Sequence, residues 1–133
     1  MTEYLHDSNH ASQAMTESSP VRTRILATAD ASFHLPVPVI GELWFMVFNS
    51  TRMIQNTQRL DDLTALFAVA YCDINAAQEF GRIRAELRRM GKPIPRIDVQ
   101  IAAIARAHDM TLLTADRHFQ RVSDVATENW LQP

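Results

Sequence analysis

Apolar and polar residues fall in short blocks along this chain, and their period switches between two and about three and a half. Residues 3–6 (Glu3-Tyr4-Leu5-His6) and 33–35 (Phe33-His34-Leu35) read as short strands. Residues 8–15 read as a helical turn opening directly after the first strand. Thr16 to Pro20 is a polar break, in which Ser19 caps and Pro20 begins a helix reaching about Ala29. Asp30-Ala31-Ser32 is a turn before the second strand. Pro36 and Pro38 hold the chain extended ahead of a helix over 39–48 that is apolar almost all round, a pattern that places it in a core or an interface. The spacing of Leu60, Leu63, Leu66, Phe67 and Ala70 predicts one long helix over 51–70. A third strand is expected over 71–74, followed by a helix over 76–90 capped by Asn75. That helix has the seam Phe80, Ile83, Leu87 and Met90, and Gly91 ends it. After an extended connection, a helix over 97–109 buries Ile101, Ala102, Ile104 and Ala105. Residues 111–114 form a fourth strand, 115–120 a tight turn or short helix, and a last strand lies within 125–130. This alternation predicts a single α/β domain over residues 1–133, built on a mostly parallel sheet of short strands flanked by helices.

Composition changes this picture little. Apolar content of 47% and charged content of 21% are those of an ordinary globular domain. The start, Met1-Thr2-Glu3, lacks the basic-then-apolar pattern of a signal peptide, and no apolar run is long enough to span a bilayer. One cysteine, Cys72, excludes an internal disulfide, fits a reducing cytoplasm and is expected to be a small buried hydrophobe. A net charge of −2 does not argue for nucleic-acid binding. Its distribution is more telling, because residues 79–133 hold nine of the thirteen basic side chains. Arg82, Arg84, Arg88, Arg89, Lys92 and Arg96 form the densest basic stretch. It is either a solvated helix face or a track for a nucleic-acid backbone.

The chemistry lies in four acids at the strand-to-helix junctions. Asp7 follows the first strand, and Glu42 is the only charge in the apolar helix over 39–48. Asp98 opens the helix over 97–109, and Asp116 follows the fourth strand. In an open parallel sheet, ligands gather beyond the carboxyl ends of the strands. Four carboxylates sent there from distant parts of the chain repel one another unless a cation holds them. Hard divalent ions such as Mg²⁺ or Mn²⁺ prefer such oxygen ligands. Helix amino termini offset only about 0.3–1 kcal/mol per carboxylate, too little to replace an ion. The five histidines show no metal-ligand spacing, although His10 and His118 lie near the site in sequence. Trp44, Phe45 and Phe48 read as core or dimer interface.

Five segments, in order, resemble PIN-domain toxins of the VapC family. They are Tyr4 to Ser12 around Asp7, Val37 to Trp44 around Glu42, Phe80 to Leu87, Gly91 to Ala103 around Asp98, and Leu112 to Val122 around Asp116. The resemblance implies a PIN-like three-layer sandwich and cleavage of RNA phosphodiester bonds with Mg²⁺ or Mn²⁺ at Asp7, Glu42, Asp98 and Asp116. Asp7 and Asp98 are expected as direct metal ligands, with Glu42 and Asp116 acting through water. Ser8 and Thr114 are expected to support them by hydrogen bonds and Asn9 to fix the turn after Asp7. Arg82, Arg88, Arg89, Lys92 and Arg96 are candidate RNA-backbone contacts. The resemblance also implies a small cognate antitoxin of the VapB kind, and the apolar stretch over 39–48 implies a homodimer. Ser8 stands where threonine is common, Pro95 where glycine is common, and Phe45-Met46 where an aromatic-glycine pair is frequent; none of these removes an acid. The alternative is a PIN fold that holds RNA or a partner without cutting. A phosphatase domain needs a second aspartate where Asn9 stands. A dinucleotide enzyme needs a Gly-rich loop, and the only glycines are Gly41, Gly81 and Gly91.

Overall fold

The computed structural model describes residues 1–16 and 18–131; Glu17, within the expected polar break, and Gln132 and Pro133 lie outside the described residues. Five parallel strands form one sheet: β1 (Thr2–His6), β2 (Ala31–Pro36), β3 (Ala68–Ala70), β4 (Thr111–Leu113) and β5 (Thr127–Glu128). Around it run α1 (Ser8–Ala14), α2 (Pro20–Ala27), α3 (Val37–Phe48), α4 (Met53–Thr64), α5 (Ile74–Met90) and α6 (Arg96–His108). A short 3-10 helix, Arg117–Arg121, precedes β5. The spatial order is β3-β2-β1-β4-β5. The chain therefore winds outward from β1 to β3, then crosses back to lay β4 on the other side of β1. The junction of β1 and β4 is the topological switch point, where the carboxyl ends of adjacent strands open a crevice.

The helices pack in two groups, α1 to α4 against one another and α5 against α6. Central strands buried on both faces need near-continuous apolar runs, and Leu5, Leu35, Leu112 and Leu113 are at most 1% exposed. Each such side chain contributes about 1.5–3 kcal/mol on burial. Trp130, following β5, closes the sheet's end: it packs on Tyr4 and Phe33, with Arg24 stacked 4.3 Å from its ring. Arg106 of α6 fastens the second helix pair. Its guanidinium donates to Glu79 at 2.7 Å and to Glu86 at 3.1 Å on α5, and also to the Ser123 carbonyl.

Most expected elements are present, and their ends follow local chemistry. Ser19 caps α2 by accepting from the Arg22 N–H at 3.0 Å, with Pro20 in the first helical position. Gly91 ends α5 in the left-handed conformation, φ 66°. Three expectations fail between residues 64 and 76. The long helix over 51–70 stops at Thr64, where turns release the chain so that Ala68–Ala70 pairs with β2. The third strand is thus Ala68–Ala70 and not 71–74. Asp73, not Asn75, caps α5, its carboxylate accepting from the Ala76 N–H at 2.9 Å. Leu66 and Met90, assigned to buried seams, are exposed, as is Cys72, which lies just past the edge strand β3. No helix among the described residues is long and apolar enough to cross a membrane.

Candidate active site

Asp7 leaves the carboxyl end of β1 and is held as a buried carboxylate. As N-cap of α1 it accepts from the His10 N–H at 3.0 Å, and the same oxygen receives His10 Nδ1 at 3.3 Å. Its other oxygen accepts from the Thr114 hydroxyl at 2.5 Å. Burial pushes the Asp7 carboxyl up, but the His10 ring, the His10 backbone and Thr114 together outweigh it and hold the pKa below the usual carboxylate range. The residue therefore stays charged although almost dry.

His10 is fully buried and its tautomer is fixed by its neighbours. The Trp130 backbone N–H donates to Nε2 at 2.9 Å, so that nitrogen carries a lone pair and the ring proton sits on Nδ1, facing Asp7. Thr114 joins the two sides of the crevice. Its hydroxyl donates to Asp7 and accepts from the Asp116 N–H at 3.0 Å. Asp116 caps the short 3-10 helix and stands exposed beyond β4.

Asp98 enters from the first turn of α6 and is half-buried. Desolvation raises its pKa; His118 opposes the rise, while Asp116 and Asp7 add to it. That mutual influence ties the three aspartates into one electrostatic site, though their positions in the chain span residues 7 to 116. His118 joins them. Its Nε2 lies 2.8 Å from an Asp98 oxygen and its Nδ1 2.9 Å from an Asp116 oxygen. One ligand atom each from Asp98, Asp116 and His118 fall within 4.8 Å of one another.

The structure thus brings Asp7, Asp98, Asp116 and Thr114 together. Glu42 is not part of this cluster. It is exposed in the second turn of α3, outside the first turn where helix-dipole support was expected. Among the described residues, neither the Ser8 hydroxyl nor the Asn9 side chain hydrogen-bonds an acid. Asn9 lies within α1 rather than in a turn, and the turn is fixed by Asp7 itself. His10 and His118 were under-read in the sequence. The available signals were Asp7-x-x-His10, one helical turn apart, and Asp116-x-His118, across a capped 3-10 turn. The candidate backbone contacts Arg82, Arg88, Arg89, Lys92 and Arg96 are all exposed, with Arg82 paired to Glu79 at 2.6 Å. Arg84, Arg88 and Arg96 rim a groove of about 700 Å³ between α5 and α6, floored by Leu87, Ile94 and Val99.

These features define an acid-site α/β domain, in which carboxylates from separated segments share the crevice at a switch point. The family model for the PIN domain matches residues 4–125. The chain is 32% identical over 93 residues to a ribonuclease VapC2 from Haemophilus influenzae, covering 69% of this chain and 70% of that protein. Over 59 residues it is 42% identical to a tRNA(fMet)-specific endonuclease VapC from Shigella flexneri, covering 44% and 45% of the two chains. Its fold superposes on VapBC2 from Rickettsia felis, solved bound to a promoter DNA fragment, with a TM-score of 0.89 at 24% identity over 97% of this chain and 99% of that one. The chain belongs to the PIN-domain family, a nuclease fold, in the branch of the VapC ribonucleases.

Proposed function

We propose that this protein is the toxin of a type II toxin–antitoxin pair and a Mg²⁺- or Mn²⁺-dependent endoribonuclease acting in the cytoplasm. The observation that carries the reading is the convergence of Asp7, Asp98 and Asp116 at the switch point of a PIN domain. The donor set fits a hard divalent cation: carboxylate oxygens, one of them dry and held ionised, beside an exposed face that leaves room for water and phosphate. Such an ion, when bound, lowers the pKa of a water and offsets charge on the phosphate.

The chain's own groups supply the rest. Asp7 is kept charged and fixed by His10 and Thr114, so its charge is oriented before any cation arrives. Asp98, raised by burial and by its acidic neighbours, gains from any positive charge that enters. Asp116, open to solvent, shares a ligating cluster with Asp98 and His118 and is assigned to direct contact, while Glu42, exposed on α3 outside that cluster, is assigned to act through water. Arg88, Arg89, Lys92 and Arg96, with Arg82, offer charge for an RNA backbone.

Two partners complete the reading. A small VapB-like antitoxin is supported by solved neighbours of this fold that are VapBC complexes, from Rickettsia felis and Haemophilus influenzae among others. A homodimer is supported by α3, where Phe45 and Phe48 are 64% and 63% exposed and Met46 and Val37 accompany them. Antitoxin-free protein is expected to cut structured RNA with Mg²⁺ or Mn²⁺, to stop with EDTA, and to leave 5′-phosphate and 3′-hydroxyl ends. Ends carrying 2′,3′-cyclic phosphate refute water attack. RNA binding without cleavage returns the non-cutting alternative.

A further inference from the structure

Asp116 turns His118 back on its own cap, accepting from the His118 N–H at 3.3 Å, and the ring leans on buried Phe119 with 4.9 Å between centroids. The imidazole is thereby set between two carboxylates from different segments. Its contacts with them are close, and the one at Nε2 lacks hydrogen-bond alignment. Nε2 is shielded from solvent and makes no aligned hydrogen bond among the described residues, although Asp98 Oδ2 is only 2.8 Å away and the ring's proximity lowers the Asp98 carboxyl against the rise from burial. Nδ1 lies 2.9 Å from Asp116 Oδ1. A buried polar atom without a bond is costly, and one aimed at carboxylates calls for a third party. Neighbouring ligands on an octahedral ion with bonds of about 2.1 Å lie roughly 3 Å apart, which matches the side-by-side approach of Nε2 and Oδ2.

We propose that His118 is a nitrogen donor to the divalent ion of this site, alongside Asp98 and Asp116, and that the centre therefore favours Mn²⁺ over Mg²⁺. This presupposes the metal-dependent reading above and adds to it a ligand and an ion class. Imidazole suits the later divalent ions, whereas Mg²⁺ keeps to oxygen donors and water.

The test uses full-length, metal-free protein and the metals alone. Calorimetric titration with MnCl₂ and MgCl₂ gives the ratio of the two affinities, and pulsed electron paramagnetic resonance of the Mn²⁺ complex detects a directly coordinated nitrogen. The parent is expected to show nitrogen coupling. His118→Ala is expected to lose it, with the Mn²⁺ preference falling about ten-fold or more. His118→Gln, which refills the space with an oxygen donor, is expected to keep Mg²⁺ binding while still lacking the coupling, and melting curves of both variants verify that they fold. Mn²⁺ bound without coordinated nitrogen, or an unchanged preference in His118→Ala, overturns the proposal. So does a rise in affinity for both ions alike, the result expected of a ring that merely wedges the acids apart. A parent that binds neither ion overturns the metal-dependent reading itself, a different failure.

Discussion

His6 offers a quantitative test of how the sheet tolerates polarity beside its acids. It is fully buried, edge-on to Phe33 and Phe67, and neither ring nitrogen has a hydrogen-bond partner among the described residues. Burial, reinforced by His10, holds its pKa down to about 3; Asp7 pulls the other way, as does the His34 backbone, which lies near without bonding geometry. The folded value is below the unfolded one of about 6.5, so the unfolded chain takes up a proton that the folded chain refuses. Stability is fully present above pH 6.5 and is lost progressively as pH falls toward 3. Between pH 7.5 and pH 5 the loss from this residue alone is about 2 kcal/mol. His6→Leu removes the titration at similar volume. At pH 7.5 it is expected to stay within about 1.5 kcal/mol of the parent, trading edge-to-face contacts for the removal of two unbonded nitrogens. At pH 5 it should gain about 2 kcal/mol relative to that offset, roughly 6–8 °C in Tm for a chain of this size. The measurement is urea or thermal unfolding of both proteins at several pH values. Other groups titrate in both, so the difference between the curves is the readout. Parallel curves would refute the reasoning.

Asp98→Asn is expected to abolish cleavage yet leave the metal-free protein as stable as the parent or more so at neutral pH. The raised Asp98 pKa means its charge costs stability as pH rises, and that advantage of the variant should vanish as pH falls below the unfolded carboxyl's value; melts with and without Mn²⁺ check both parts. Thr114→Val strips a charge-assisted bond from dry Asp7 and an acceptor from the Asp116 N–H, so a loss of about 1–3 kcal/mol in urea unfolding and a roughly 10–100-fold weaker Mn²⁺ affinity are expected. Phe45→Lys on the exposed face of α3 should yield a monomer by sedimentation with little change in monomer stability, and a variant that still dimerises moves the interface elsewhere.

The fold was legible where local chemistry and hydrophobic period agreed. Ser19-Pro20, Gly91 and the apolar blocks at Leu5, Leu35 and Leu112-Leu113 mark their elements without tertiary information. Between residues 64 and 76 they disagreed, because Leu66 and Phe67 kept a helical spacing while the sheet needed Ala68–Ala70 as an edge strand. Asp73 and Asn75 are both good caps, and only the arriving strand decides between them. The three aspartates were legible as acids at strand ends. Glu42 was read by the same rule, but it falls a full turn inside α3, because that helix begins two residues earlier than expected. His10 and His118 were hard to read for a different reason. Each acts through a partner more than a hundred or about twenty residues away, Trp130 for the first and Asp98 for the second, and single-sequence spacing carries no trace of that.

All strands being parallel has a consequence for synthesis. The bond between Thr114 and Asp7 closes a separation of 107 residues, and β4 is itself flanked by β5, which spans Thr127–Glu128. On a ribosome, Asp7 emerges first and waits for nearly the entire chain before Asp98, Thr114 and Asp116 can join it, and His10 waits longer still for Trp130. A chain that ends before β4 therefore carries Asp7 but neither Thr114 nor Asp116, and no assembled crevice. For a protein whose proposed substrate is RNA, that order of events ties the assembled site to completion of the sheet.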